Sequence, residues 1–257
     1  MKVVILAGGF GSRISEESHL KPKPMIEIGE EPILWHIMKT YSSHGFNDFI
    51  ICCGYKGHMI KRYFADYYMH KSDITFDYSD GNKAIVHHPP VEPWRVTLID
   101  SGLHTMTGGR IKRIKSYIGD EPFMLTYGDG VSNIDFHKLL SFHQSHRKIA
   151  TISMIRVAQR FGVLESDEYG NISSFREKET TDSSMINAGF MVLEPNIFDY
   201  INGDNTVFET EVLTTLANKS NLAGYHHEGF WQCMDTQRDK EKLEKLWNSN
   251  NPPWKNW

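Results

Sequence analysis

Three glycines and two cations near the N-terminus have the types and spacing of a phosphate-binding device. Gly8-Gly9-Phe10-Gly11-Ser12-Arg13 follows the apolar run KVVILA (2–7), and Lys23 stands ten residues beyond Arg13 in Lys21-Pro22-Lys23-Pro24-Met25. A glycine-rich turn after a buried strand lets backbone N–H groups approach phosphate oxygens closely. Arg13 and Lys23 add positive charge to that cradle, so the chemistry that fits is binding or transfer of a small phosphorylated ligand. Two familiar phosphate loops are excluded. The dinucleotide fingerprint needs glycine at 14, which is Ile14, and the P-loop ends in Gly-Lys-Ser/Thr, whereas Ser12-Arg13 follow Gly11.

The phosphates that such a cradle holds carry negative charge that a metal ion helps to offset. Mg²⁺ takes a few carboxylates and completes its shell with phosphate oxygens and water. Asp129, in Gly128-Asp129-Gly130, follows the apolar run FMLTY (123–127). It sits where open α/β sheets place ligands, and it also suits a turn. Asp235, in Trp231-Gln232-Cys233-Met234-Asp235-Thr236, precedes a helical stretch and suits a helix N-cap.

The elements that must position these groups are legible as alternating patterns. Residues 2–7 and 48–53 read as buried strands, and 32–44 and 56–67 as helices, with Pro32 suited to a first turn and Gly45 to the stop. This βαβα beginning predicts a parallel sheet with helices on its faces. The alternation continues with strands at 95–100, 123–127 and 149–157 and helices at 108–117 and 135–146. Short strands and turns over 162–193 predict a β-rich lobe, bounded roughly at 158–194. Helices at 195–201, 207–218 and 236–248, a strand at 222–227 and an irregular tail over 249–257 complete one expected domain. Trp254 and Trp257 predict that the tail docks on the fold or on a neighbouring subunit.

With 257 residues, 40% hydrophobic and 23% charged, the chain has ordinary globular composition. A net charge of −4 argues against broad nucleic-acid binding, which needs a basic footprint. Cys52, Cys53 and Cys233 form no CxxC pair, and the thirteen histidines show no HExxH spacing, so neither zinc nor redox chemistry is indicated. No apolar stretch approaches a membrane span, and the first residues do not read as a signal peptide, so a cytoplasmic protein is expected.

The pair of motifs Leu6-Ala7-Gly8-Gly9-Phe10-Gly11-Ser12-Arg13 and Pro22-Lys23-Pro24 resembles the signature of the sugar-1-phosphate nucleotidyltransferases, with Ser12 replacing the more usual threonine. Residues 21–39, 48–60, 91–102, 106–114, 126–130 and 229–240 further resemble the glucose-1-phosphate cytidylyltransferases within that family, across nearly the whole chain. The resemblance implies an α/β fold of the nucleotide-diphospho-sugar transferase type, a Rossmann-like mixed sheet whose β-rich lobe binds the sugar. It implies CTP and glucose 1-phosphate as substrates, Mg²⁺ as cofactor, and a homo-oligomer, a trimer or a hexamer. It also implies supply of CDP-glucose for deoxysugars of surface polysaccharide, as in lipopolysaccharide O-antigen biosynthesis.

Residue by residue, the resemblance places Arg13, Lys23 and Asp129 in catalysis, and Asp129 and Asp235 on the metal. It assigns the nucleotide to Leu6, Ala7, Gly8, Gly9, Phe10, Gly11, Ser12, Arg13, Lys23, Thr105, Arg110 and Gly128. The sugar phosphate falls to Tyr127, Glu177, Lys178 and Asn187, although Glu179 stands where the family pattern has proline after the lysine. Asp100 is the candidate base reader, because a carboxylate accepts from the amine that distinguishes cytosine from uracil and thymine; it equally suits a turn. Two alternatives stay open: a relative using UTP, dTTP or another sugar phosphate, and a nucleotide-sugar binding module on the same fold. A glycosyltransferase would more often carry Asp-x-Asp, whereas Gly128-Asp129-Gly130 offers one aspartate.

Overall fold

Lys2–Ala7 (β1) is buried on both sides: Val3, Ile5 and Ala7 enter one core cluster, Val4 and Leu6 the other. Continuous burial of this kind marks a strand of a sheet covered on both faces. The computed structural model describes residues 1–257 except 89–91, 159–162, 167–171 and 177–182. Among the described residues, β1 is joined in one sheet by Asp48–Cys53 (β2), Arg95–Asp100 (β3), Phe123–Tyr127 (β4), Ala150–Ala158 (β5), Ser183–Leu193 (β6) and Leu222–His226 (β7). The spatial order is β7-β5-β6-β4-β1-β2-β3. β3, β2, β1 and β4 run parallel, β6 runs antiparallel to both β4 and β5, and β7 is parallel to β5. The sheet is therefore mixed and α/β, as expected.

The principal helices are Ile33–Ser42 (α1), Gly57–His70 (α2), Thr107–Arg113 (α3), Phe136–His146 (α4) and Gln237–Trp247 (α5). α1 is amphipathic, burying Ile33, Leu34, Ile37, Met38 and Tyr41. Asp135 caps α4 by accepting from the N–H groups of His137 and Lys138, both at 3.0 Å.

Three expectations change. The helix expected over 108–117 breaks at Ile114 into α3 and a short turn, Lys115–Ile118. The helix expected over 207–218 opens as a π-helical turn, Phe208–Leu213, before becoming α-helical. Residues 183–193, grouped by pattern with the β-rich lobe, form β6 of the central sheet, because Phe190, Met191, Val192 and Leu193 are all buried between β4 and β5. Among the described residues of that stretch, Val163–Ser166 and Ile172–Arg176 pair with each other apart from it.

The tail docks on the fold. Trp254 is fully buried, its ring stacked 5.6 Å from Phe230 and 6.1 Å from Trp247. Its indole N–H donates to His36 Nδ1 (3.4 Å), which leaves the His36 Nε2 proton for the Ile28 carbonyl (2.9 Å). Burial pushes the His36 imidazolium pKa down to about 4, so the ring is neutral and this tautomer suits both partners.

Candidate active site

β1 lies between β2 and β4, so the chain leaves β1 toward one edge of the sheet and returns on its other side. Ligands of open α/β sheets bind beyond the strand ends at such a reversal. The loops after β1 and β4 are stitched together there, the Gly128 N–H donating to the Leu6 carbonyl (3.0 Å). A Cβ at Gly128 would stand 2.8 Å from Pro24 Cγ. Glycine at this position lets the turn bearing Lys23 lie against the end of β4.

Two adjoining cavities open at this point. The first, about 530 Å³, is lined by the whole loop Leu6–Arg13, by Lys23, Pro24 and Leu103–Thr107, and by Arg110, Tyr127, Gly128, Asp129 and Asp235. The second, about 420 Å³, shares Arg13, Tyr127, Asp129 and Asp235, and adds Asn187, Gly189, Glu209 and Trp231. Every nucleotide-binding candidate except Asp100 thus lines the first cavity. Tyr127 and Asn187 line the second, and Glu177 and Lys178 lie outside the described residues.

Lys23 lines the first cavity and binds the two aspartates that both cavities share. Its ammonium donates to Asp129 Oδ2 (2.7 Å) and Asp235 Oδ1 (2.6 Å), while Arg13 Nη1 donates to Asp235 Oδ2 (3.1 Å). Two aspartates far apart in sequence meet because Gly130–Ser132 pairs antiparallel with Trp231–Cys233, and the Met234 N–H donates to the Asp129 carbonyl (2.8 Å). Asp235 is not the helix cap. Thr236 caps α5 in a reciprocal box with Asp239, which leaves the Asp235 carboxylate for the cavity. Burial alone pushes the Lys23 ammonium pKa down, but the two aspartates outweigh it and the net shift is upward. Burial likewise works against the Asp235 carboxylate, yet Lys23 and Arg13 together hold its pKa below the ordinary value.

Arg110 lies in the cavity and Asp100 lies outside it. The Arg110 guanidinium is buried in the cavity wall and donates to Ser101 Oγ (2.7 Å) and to the carbonyls of Gly102 (2.7 Å), Gly8 (3.0 Å) and Leu103 (3.3 Å). It clamps the loop after β1 to the loop after β3. Asp100 is exposed at the end of β3, where Oδ1 accepts from the Gly102 N–H (3.1 Å) in a local turn. The turn reading holds for it, and Asp100 does not line the cavity.

The structure also brings in residues the sequence did not single out. Leu103, His104, Met106 and Thr107 line the first cavity, and Phe10 tilts against His104 and Tyr55 at ring distances of 6.0 and 5.3 Å. Trp231 lines the second cavity and fastens it, its indole N–H donating to the Ala188 carbonyl (2.7 Å). Glu209 carries no motif; acidic residues are favoured in any first helical turn, which hides it.

The donor set suits a divalent metal. Asp129 and Asp235 offer hard carboxylate oxygens already gathered about one cation, the Lys23 ammonium, beside a cavity lined by a phosphate-type loop. Among the described residues no group of three or more His, Cys, Asp or Glu is placed to hold a metal, and a magnesium ion bound by one or two carboxylates usually keeps phosphate oxygens and water in its shell. No helix of the described residues is long and apolar enough to cross a membrane.

A glycine loop at a sheet reversal, facing two aspartates across a lysine, defines a phosphate-handling enzyme of the nucleotide-diphospho-sugar transferase fold. Solved structures agree on that fold. HddC from Yersinia pseudotuberculosis complexed with GMP-PN superposes with a TM-score of 0.68 at 25% identity, covering 96% of this chain and 99% of that one. UDP-glucose pyrophosphorylase complexed with UDP-glucose gives 0.67 at 17% identity, covering 97% and 98%. The nucleotidyl transferase family model matches residues 2–239. A glucose-1-phosphate cytidylyltransferase of Salmonella typhi is 54% identical, and a probable one of Bacillus subtilis 45% identical, each over the full length of both chains. The chain belongs to the nucleotidyl transferase family. Enzymes of this family generally use a divalent metal.

Proposed function

We propose that the protein transfers a cytidylyl group from CTP to α-D-glucose 1-phosphate, giving CDP-glucose and pyrophosphate. The observation that carries the chemistry is Lys23 held between Asp129 and Asp235, the two aspartates that both cavities share. Full-length identity of 54% to a glucose-1-phosphate cytidylyltransferase supports the choice of base and sugar.

In this reading a phosphate oxygen of glucose 1-phosphate attacks the α-phosphorus of CTP. The new P–O bond forms as the bond to the β-phosphate bridging oxygen breaks, and pyrophosphate leaves. The amides of Gly8–Ser12 and the Arg13 guanidinium hold the departing phosphates, and Lys23 offsets charge at the α-phosphate. Asp129 and Asp235 would hold Mg²⁺, which when bound neutralises charge on the phosphate oxygens. The base lies against the rim formed by Phe10, Leu103, His104 and Met106, with Thr105 beside it; Asp100 faces away and Arg110 braces the loops. Tyr127 and Asn187 bind the sugar phosphate from the second cavity, joined on the resemblance by Glu177 and Lys178. We read the chain as one domain, with a β-rich lobe that includes the paired strands Val163–Ser166 and Ile172–Arg176. On the resemblance alone, we read it as a cytoplasmic homo-oligomer.

The test is pyrophosphate release from purified protein with Mg²⁺, glucose 1-phosphate and each nucleoside triphosphate in turn. Release with CTP and not with UTP or dTTP is expected. Release with UTP or dTTP alone overturns the base assignment, and silence from a folded protein that binds nucleotides overturns the reaction.

A further inference from the structure

We infer that Glu209 reads a hydroxyl of the sugar and thereby sets sugar specificity in the second cavity, an inference that rests on the nucleotidyl-transfer reading. Glu209 stands on the π-helical turn Phe208–Leu213, a backbone irregularity frequent at functional sites. Donors from two different elements hold its carboxylate. Tyr127 Oη, at the end of β4, donates to Oε1 (2.5 Å), and Thr107 Oγ1, at the start of α3, donates to Oε2 (2.7 Å). Thr107 Oγ1 accepts in turn from the Phe208 N–H (2.9 Å), which cross-braces the side chain to its own backbone. The Tyr127 ring is itself seated on Gly189, where a Cβ would come within 2.7 Å of Cδ2.

The result is a preorganised acceptor in the wall of the second cavity. A carboxylate has about four lone-pair sites, and two are taken among the described residues, so acceptor capacity remains. Both of these partners are neutral hydroxyls. A phosphate is repelled by such a group, whereas a sugar hydroxyl donates to it. Arg13 lines the same cavity on the Asp235 side. Glu209 is thus an acceptor fixed in the wall of a cavity that Arg13, Asp129 and Asp235 also line, available to a hydroxyl of one sugar phosphate.

The test compares kcat/KM for glucose 1-phosphate and its singly deoxygenated analogues in wild type, Glu209→Gln and Glu209→Ala, with KM for CTP measured on the same preparations. Glu209→Gln lowers kcat/KM for glucose 1-phosphate about tenfold to a hundredfold, the scale of one hydrogen bond to a charged group. KM for CTP stays within about twofold, because the loss falls on the sugar. One deoxy analogue costs wild type a similar factor and costs Glu209→Ala nothing further, the non-additivity of two partners in one contact. Equal losses for every analogue in wild type and variants, or a KM for CTP that rises with that for the sugar, reduce Glu209 to a structural brace and overturn the inference. If Glu209→Ala does not fold, the near-isosteric Glu209→Gln carries the same comparison. Calorimetric binding of glucose 1-phosphate that is equal in wild type and Glu209→Gln overturns the inference by itself. A wild type silent with every sugar phosphate overturns instead the reading on which it rests.

Discussion

The two cavities share Arg13, Tyr127, Asp129 and Asp235, yet they are built in different ways. The first is drawn largely from two continuous runs, Leu6–Arg13 and Leu103–Thr107, so its wall is mostly local backbone. The second gathers short pieces from the end of β4, from β6 at Asn187–Phe190, from the π-helical turn and from the strand Trp231–Cys233. A cradle of consecutive N–H groups is specified by the loop that makes it. A pocket of dispersed side chains exists only when the strands bearing them reach their register. Damage to long-range packing should therefore weaken the second cavity before the first.

The sharpest challenge to that contrast is Trp254→Ala. Trp254 supports Phe230 at the entry to the strand Trp231–Cys233, and removing a buried indole costs about 3–5 kcal/mol. Denaturant unfolding should show that loss. Affinity for glucose 1-phosphate should fall more than affinity for CTP, and equal losses in the two would break the comparison.

Lys23→Ala removes the ammonium that binds both shared aspartates. Turnover should drop about a hundredfold or more, as when one transition-state donor is removed. A folded variant with near-normal turnover would take Lys23 out of the chemistry.

Asp235→Asn should act more gently. The metal concentration giving half-maximal rate should rise about tenfold, on the scale of one charged contact, and an unchanged titration would exclude Asp235 from the metal. Stability gives a second readout. Lys23 and Arg13 hold the Asp235 carboxyl below its ordinary value of 3.8, so its contribution is fully present above that value and fades as pH falls through the lower folded one. Wild type should lose stability in acid more steeply than Asp235→Asn.

The uneven legibility of the site follows the same division. Leu6–Arg13 and Lys23 were readable because glycines, prolines and cations at short spacing constrain the backbone locally. Asp129 was readable from its place after a buried strand. Asp235 was ambiguous, since an aspartate before a helix fits a cap, and only the Thr236–Asp239 box shows that another residue takes that role. Asp100 and Arg110 look alike as candidate ligands by type, but Asp100 closes a turn outside the cavity, whereas Arg110 lines it while donating to backbone carbonyls. Glu209 had no local signal at all.

By itself the sequence determined the alternating α/β order, the phosphate loop and the family, because hydrophobic period, turn chemistry and contiguous motifs act over a few residues. Tertiary structure alone decided that β6 joins the central sheet, that Trp254 packs beneath Phe230, and that Asp129 and Asp235 converge on Lys23. Those outcomes depend on strand register and on burial shared between distant segments, and such partners come within reach only once the chain has closed on itself.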